Sequence, residues 1–206
     1  AGYGTVTDYQ SGALIDLGVL AVGTHTYTLT SLIDDCGIPL ATLPASYTIN
    51  VYEVPVANAG PDLGVCGTLS ATLGAIASVG TGTWTKESGP GTVSFSSASS
   101  PTSTATVSQY GTYVLRWTEV NGGICTTSDL VTVSYERAAN AGPAQNLCAV
   151  LSATMAGNTP AVGTGTWSQV SGPGTSSFSP DVNTPAAIAT VSTAGTYVFK
   201  WTIANG

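Results

Sequence analysis

The chain has 206 residues, of which only 4 are Lys or Arg against 11 Asp or Glu, for a formal net charge of −7. The four cations, Lys86, Arg116, Arg137 and Lys200, form no basic run for phosphates, which argues against nucleic acid as a partner; no apolar stretch approaches the roughly 18 residues that span a bilayer as a helix. Gly and Pro total 25 + 11 = 36 residues, below the roughly 25–30% at which low complexity becomes the better description, so a folded chain is expected.

In chain order, residues 1–53 carry β signals without a full domain. The apolar stretch from Leu14 to Leu20 is broken by Asp16 and Gly18. GTHTYTLT at 23–30 alternates, with His25, Tyr27 and Leu29 on one side and threonines on the other, the period of a half-buried strand. Asp34, Asp35 and Cys36 begin a proline-marked loop, and Ser46 to Val54 alternates again as a last strand.

From residue 57 the sequence repeats itself. ANAGP at 57 recurs at 139, and Cys66 and LSAT at 69 recur with the same offset of 82; GTGTW and SGPGT recur at 83, and GTYV at 111 recurs at 195, an offset of 84. Single insertions in loops account for the drift. Within the middle copy, strands are expected at Leu63–Leu73, Thr81–Glu87, Val93–Ser96, Thr104–Ser108, Tyr113–Val120 and Leu130–Glu136, with tight turns at SGPG (88–91) and NGG (121–123). The most regular strand is GTYVLRWT at 111–118, copied as GTYVFKWT at 195–202. Tyr113, Leu115 and Trp117 share one face, Val114, Arg116 and Thr118 the other. Such large inward residues call for a second sheet, hence an all-β, two-sheet sandwich.

These features together resemble tandem immunoglobulin-like repeats of the PKD-like type found in long surface proteins of gliding and surface-attached bacteria. The resemblance rests on ANAGP, the Gly-Thr-Trp strands at Trp84 and Trp167, the SGPG turn and the Gly-x-Tyr-x-apolar-x-Trp strand, and covers residues 57–206. It departs from PKD domains where their Trp strand meets an Asp-rich turn; here the strand runs Lys86, Glu87, Ser88, Gly89. It implies 1–53 as the C-terminal part of one Ig-like domain, 54–137 as a complete domain and 138–206 as a domain lacking its last strand. In each copy a buried Trp beneath a tyrosine corner is implied: Trp84 with Tyr113 and Trp167 with Tyr197, beside the core residues Trp117 and Trp201. It further implies an extracellular stalk, fibre or adhesin, exported by the type IX system, with neighbouring repeats, other copies in a fibre, or surface glycans and proteins as partners.

Candidate chemistry is sparse. Cys66 and Cys125 are expected at one end of the sandwich and therefore paired, closing a loop of 125 − 66 = 59 residues worth roughly 4 kcal/mol by chain entropy; two free buried thiols are the alternative. On that template the partners of Cys36 and Cys148 lie outside the chain, and the chain reads as a segment of a longer array. His25, the single histidine, is expected as a structural imidazole rather than a catalytic base. Cys-x-x-Cys spacing is absent, which disfavours zinc. No cofactor is expected; only Glu53, Asn58 and Asp62, at the first junction, could hold a calcium ion. The primary expectation is a non-enzymatic structural segment of a long extracellular repeat protein. The alternatives are a subunit of a filament with strand exchange between chains and an accessory module of a secreted hydrolase.

Overall fold

The computed structural model describes residues 16–29, 33, 37 and 45–204, and every regular element among them is a β-strand. The first two, β1 (Gly23–Leu29) and β2 (Ala45–Val51), form an antiparallel hairpin. Their register, with Gly23 opposite Val51 and Tyr27 opposite Tyr47, makes His25 and Tyr27 the half-buried positions of β1. Residues 16–20 of the apolar stretch form no strand, and Leu14 lies outside the described residues.

The middle repeat contains β3 (Leu63–Cys66), β4 (Ser70–Thr72), β5 (Thr81–Ser88), β6 (Val93–Phe95), β7 (Thr104–Val107), β8 (Gly111–Asn121) and β9 (Cys125–Glu136). One sheet runs β3-β9-β8-β5 and the other β4-β7-β6. This is the immunoglobulin-like arrangement, in which consecutive strands are dealt between two facing sheets. The single strand expected over Leu63–Leu73 is two. Gly67 takes φ +72, which an L-residue adopts at a cost, and there the chain leaves the first sheet and enters the second. β9 begins five residues before the expected Leu130, because its ladder with β8 is unbroken from Gly111–Tyr135 to Asn121–Cys125 around the Gly122–Gly123 turn.

Alternation along β8 places Tyr113, Leu115 and Trp117 at 0% exposure. Val131, Val133 and Tyr135 from β9, Trp84 from β5, Ala71 from β4 and Ala105 and Val107 from β7 complete the core. Fully burying each large apolar side chain stabilises the fold by about 1.5–3 kcal/mol. Tyr135 also ties the two sheets together, its hydroxyl donating to the Ala105 carbonyl at 3.1 Å. Burial, with the nearby Tyr113, pushes its pKa up to about 12.

The third repeat contains β10 (Ser152–Thr154), β11 (Thr164–Ser171), β12 (Ser176–Ser179), β13 (Ile188–Val191) and β14 (Val198–Ala204). They form a sheet β10-β13-β12 facing a pair β11-β14. Trp167 stands opposite Trp201 as Trp84 stands opposite Trp117, and the ladder slips at Gln169/Ser171 as it does at Lys86/Ser88. Among the described residues nothing corresponds to β9, and residues 145–148, the counterpart of β3, form no ladder.

Candidate functional site

The two conserved-in-repeat aromatic pairs are built alike. The rings of Trp84 and Trp117 lie 5.1 Å apart, and those of Trp167 and Trp201 4.9 Å apart. Trp84 donates its indole N–H to the Ser100 carbonyl at 3.1 Å, and Trp167 to the Thr184 carbonyl at 3.2 Å. Close backbone approach makes room for the second Trp of each pair: a methyl group on Gly82 would sit 1.8 Å from the Trp117 ring. The tyrosine corners are present as well. Tyr113 donates to the Gln109 carbonyl at 2.9 Å and Tyr197 to the Thr193 carbonyl at 3.0 Å, four residues upstream in both cases. Lys86 and Gln169, at matching positions, hold the SGPG turns through the carbonyls of Gly89 (2.8 Å) and Gly174 (2.7 Å).

The expected Cys66–Cys125 disulfide is corrected: both are free thiols. β3 runs parallel to β9, with Cys66 opposite Glu136, the last residue of β9, whereas Cys125 is the first. The separation along β9 is 136 − 125 = 11 residues, about 36 Å at the usual rise, whereas a disulfide needs Cα atoms within about 7 Å. Cys66 is exposed near the Arg137 carbonyl, and half-buried Cys125 faces the Tyr52 carbonyl. Cys148 is free and exposed; Cys36, with Asp34 and Asp35, lies outside the described residues.

The calcium ligand set is likewise not brought together. Asn58 Oδ1 accepts from the Gly60 amide, and Asp62 Oδ1 from the Thr132 amide at 2.7 Å. The Glu53 carbonyl accepts from Asn121 Nδ2 at 2.9 Å, at the end of β8 beside the turn into β9. Among the described residues no group of three or more His, Cys, Asp or Glu side chains could hold a metal. His25 is half-buried, with Nε2 2.7 Å from the Ala21 carbonyl. Arg116, on the outward face of β8, pairs with Glu87 at 2.9 Å.

The structure concentrates polar contacts at the junctions between repeats. At the first, Pro55 is buried and its carbonyl accepts from Thr127 Oγ1 at 3.1 Å. That oxygen accepts in turn from the Ala57 amide, and Asp129 accepts from the Ala59 amide at 2.9 Å. The Val56 amide donates to Ser78 Oγ at 2.8 Å. Ser78 is anchored through both its hydroxyl and its amide by the carboxylate of Glu119, 1% exposed on β8. Burial raises the Glu119 pKa, but the donors from Ser78 and from the Trp117 indole outweigh it and hold the carboxyl below its ordinary value.

At the second junction the partners differ. Glu136, the last residue of β9 and 6% exposed, accepts from the Ala161 amide at 3.0 Å and from the Val162 amide. Asn158 adds two contacts to the linker, to Ala138 and Asn140. Sequence reasoning missed Glu119 and Glu136. The first was legible, since β8 alternation carries on past Trp117 to an inward Glu119.

Beside β14 the third repeat has a groove of about 760 Å³ whose lining includes Gln145, Leu147, Leu151, Tyr197, Val198 and Phe199. Tyr197 and Phe199 are only half-buried, where Tyr113 and Leu115, on a strand flanked by β9, are fully buried.

No protein-family model matches the chain, and no curated protein matches it. Among solved structures it is similar to the solution structure of the PKD domain from the KIAA 1837 protein, at 28% identity over 44% of this chain and 92% of that one, with a TM-score of 0.36. It is also similar to a three-immunoglobulin structure of titin domains, an E-to-A mutated variant, at 14% identity over 79% of this chain and 65% of that one, with a TM-score of 0.43.

Proposed function

We propose that the chain is a non-enzymatic structural segment of a long extracellular repeat protein, a surface fibre, stalk or adhesin of a bacterial cell. The observation that carries this reading is the pair of junctions. Each linker is hydrogen-bonded along the repeat that follows it, at Pro55, Val56 and Ala57 in one case and at Ala138 and Asn140 in the other. Linkers seated in this way suit a semi-rigid spacer better than a flexible tether. Type IX export and a role in gliding or adhesion follow on this reading, with neighbouring repeats, other copies in a fibre, or surface glycans and proteins as partners. Immunogold labelling of intact producing cells with an antibody to the middle repeat tests it. Label outside the envelope is expected, and label confined to the cell interior would overturn it.

A second reading, a filament subunit that accepts a strand from another chain, is favoured by one feature, the apolar groove beside β14. Cross-linking of purified chains, followed by identification of peptides joined to residues 195–204, separates the two. Intermolecular links there support strand exchange.

A further inference from the structure

We propose that Glu136 is a latch between repeats, supplying to the third repeat a carboxylate that the middle repeat supplies to itself. The two repeats pose the same local problem. Six residues before the β5 tryptophan, the Ser78 amide points to a buried carboxylate, that of Glu119, at 3.0 Å. Six residues before the β11 tryptophan stands Ala161, whose amide also meets a carboxylate at 3.0 Å, but that of Glu136. The third repeat has no carboxylate of its own in that place, because Ile203 occupies the position two residues after Trp201 that Glu119 occupies after Trp117.

The burial of Glu136 makes sense only through this contact. A buried carboxylate is costly unless it is hydrogen-bonded, and here three backbone amides donate to it: Arg137 at 2.6 Å, Ala161, and Val162. Two of these belong to the third repeat. Meanwhile the Glu136 backbone belongs to the middle sandwich, where it pairs with Cys66 and its carbonyl accepts from the Gly67 amide at 2.8 Å. One residue is thus a fixed part of both bodies, and hydrogen bonds to an ionised group are the stronger kind.

The first junction shows the complementary solution. The β1–β2 ladder begins with Gly23 opposite Val51, as the β8–β9 ladder has Gly111 opposite Tyr135, so Tyr52 stands where Glu136 stands. Tyr52 packs instead against the turn at Gly122, where a methyl group would lie 2.3 Å from its ring. The rule that follows is one of neighbour specificity: a repeat with an apolar residue at the 203 position requires a carboxylate at the end of the repeat before it.

The test uses the full chain and does not depend on where the protein is located in a cell. Amide exchange at Ala161 and Val162 and residual dipolar couplings are measured for wild type, Glu136→Gln, and Glu136→Gln with Ile203→Glu. Wild type is expected to protect both amides and to fit one alignment frame across the middle and third repeats. Glu136→Gln should lose about ten-fold in protection, the scale of one charged hydrogen bond, and should require two frames. Ile203→Glu should restore protection of the loop without restoring the common frame. Unchanged exchange and a single frame in Glu136→Gln would overturn the proposal. If that variant does not fold, unprotected Ala161 and Val162 amides in wild type would overturn it, and protected ones would support it.

Discussion

The indole N–H of Trp117 donates to Glu119 Oε1 at 2.9 Å, so two side chains on one face of β8 form a buried polar pair inside an otherwise apolar core. The pair reaches the surface through Ser78, which in turn accepts the amide of linker residue Val56. Core packing and linker position are thereby joined in one chain of hydrogen bonds.

That chain makes the middle repeat sensitive to acid. The folded pKa of Glu119 lies below the unfolded value of 4.5, so its stabilisation is present above about pH 4.5 and is lost as pH falls through the folded pKa. Denaturant midpoints recorded between about pH 6 and pH 3 should fall for wild type and fall less for Glu119→Gln. At neutral pH Glu119→Gln should cost about 1–3 kcal/mol, since it weakens three buried contacts. An equal acid dependence in both proteins would remove Glu119 from the account.

The cysteines should behave as independent thiols. Without any reductant, a maleimide should modify Cys66 and Cys148 in the folded chain, and reduction should not change the peptide map around Cys66 and Cys125. Replacing Cys66 with Ser should leave the unfolding temperature within about 2 °C, as for surface substitutions generally. A Cys66–Cys125 linked peptide in fresh protein would contradict the strand order.

Gly82→Ala should be among the most damaging small substitutions. The added methyl would sit 1.8 Å from the Trp117 ring, and neither partner can move, because Trp117 is fully buried against Trp84. Overpacking of this kind costs about 1–3 kcal/mol or more. Thermal unfolding should show the loss in the middle repeat, while Gly64→Ala, where a methyl meets nothing within 4 Å, serves as the control.

The two tyrosine corners should differ in value. Tyr113→Phe removes both the bond to Gln109 and the one from the Gly91 amide, at a fully buried site. A cost of about 1–2 kcal/mol is expected. Tyr197→Phe removes a bond at a half-buried site beside the groove, and its cost should be the smaller of the two by denaturant titration.

Much of this was legible in the residues themselves. Alternation along GTYVLRWT marked Tyr113, Leu115 and Trp117 as inward, and all three are. The repeated Gly-Thr-Trp and SGPG segments located β5, β11 and the turns after them. The cysteine pairing failed because it depends on strand direction. Gly67 turns the chain into the other sheet only after β3 has paired parallel to β9, and so Cys66 lies at the far end from Cys125. Glu136 could not be found from spacing, since its partners belong to the next repeat and only the seated linker brings them within reach.

A semi-rigid spacer requires that the repeats stand in a row at seated junctions, and small-angle X-ray scattering of the full chain reads out that arrangement. A compact single body of 206 residues would have a radius of gyration of about 17 Å. The account predicts a clearly larger radius, with a cross-section one sandwich wide and a distance distribution skewed toward long vectors. A symmetric distribution with a radius near the compact value would contradict it.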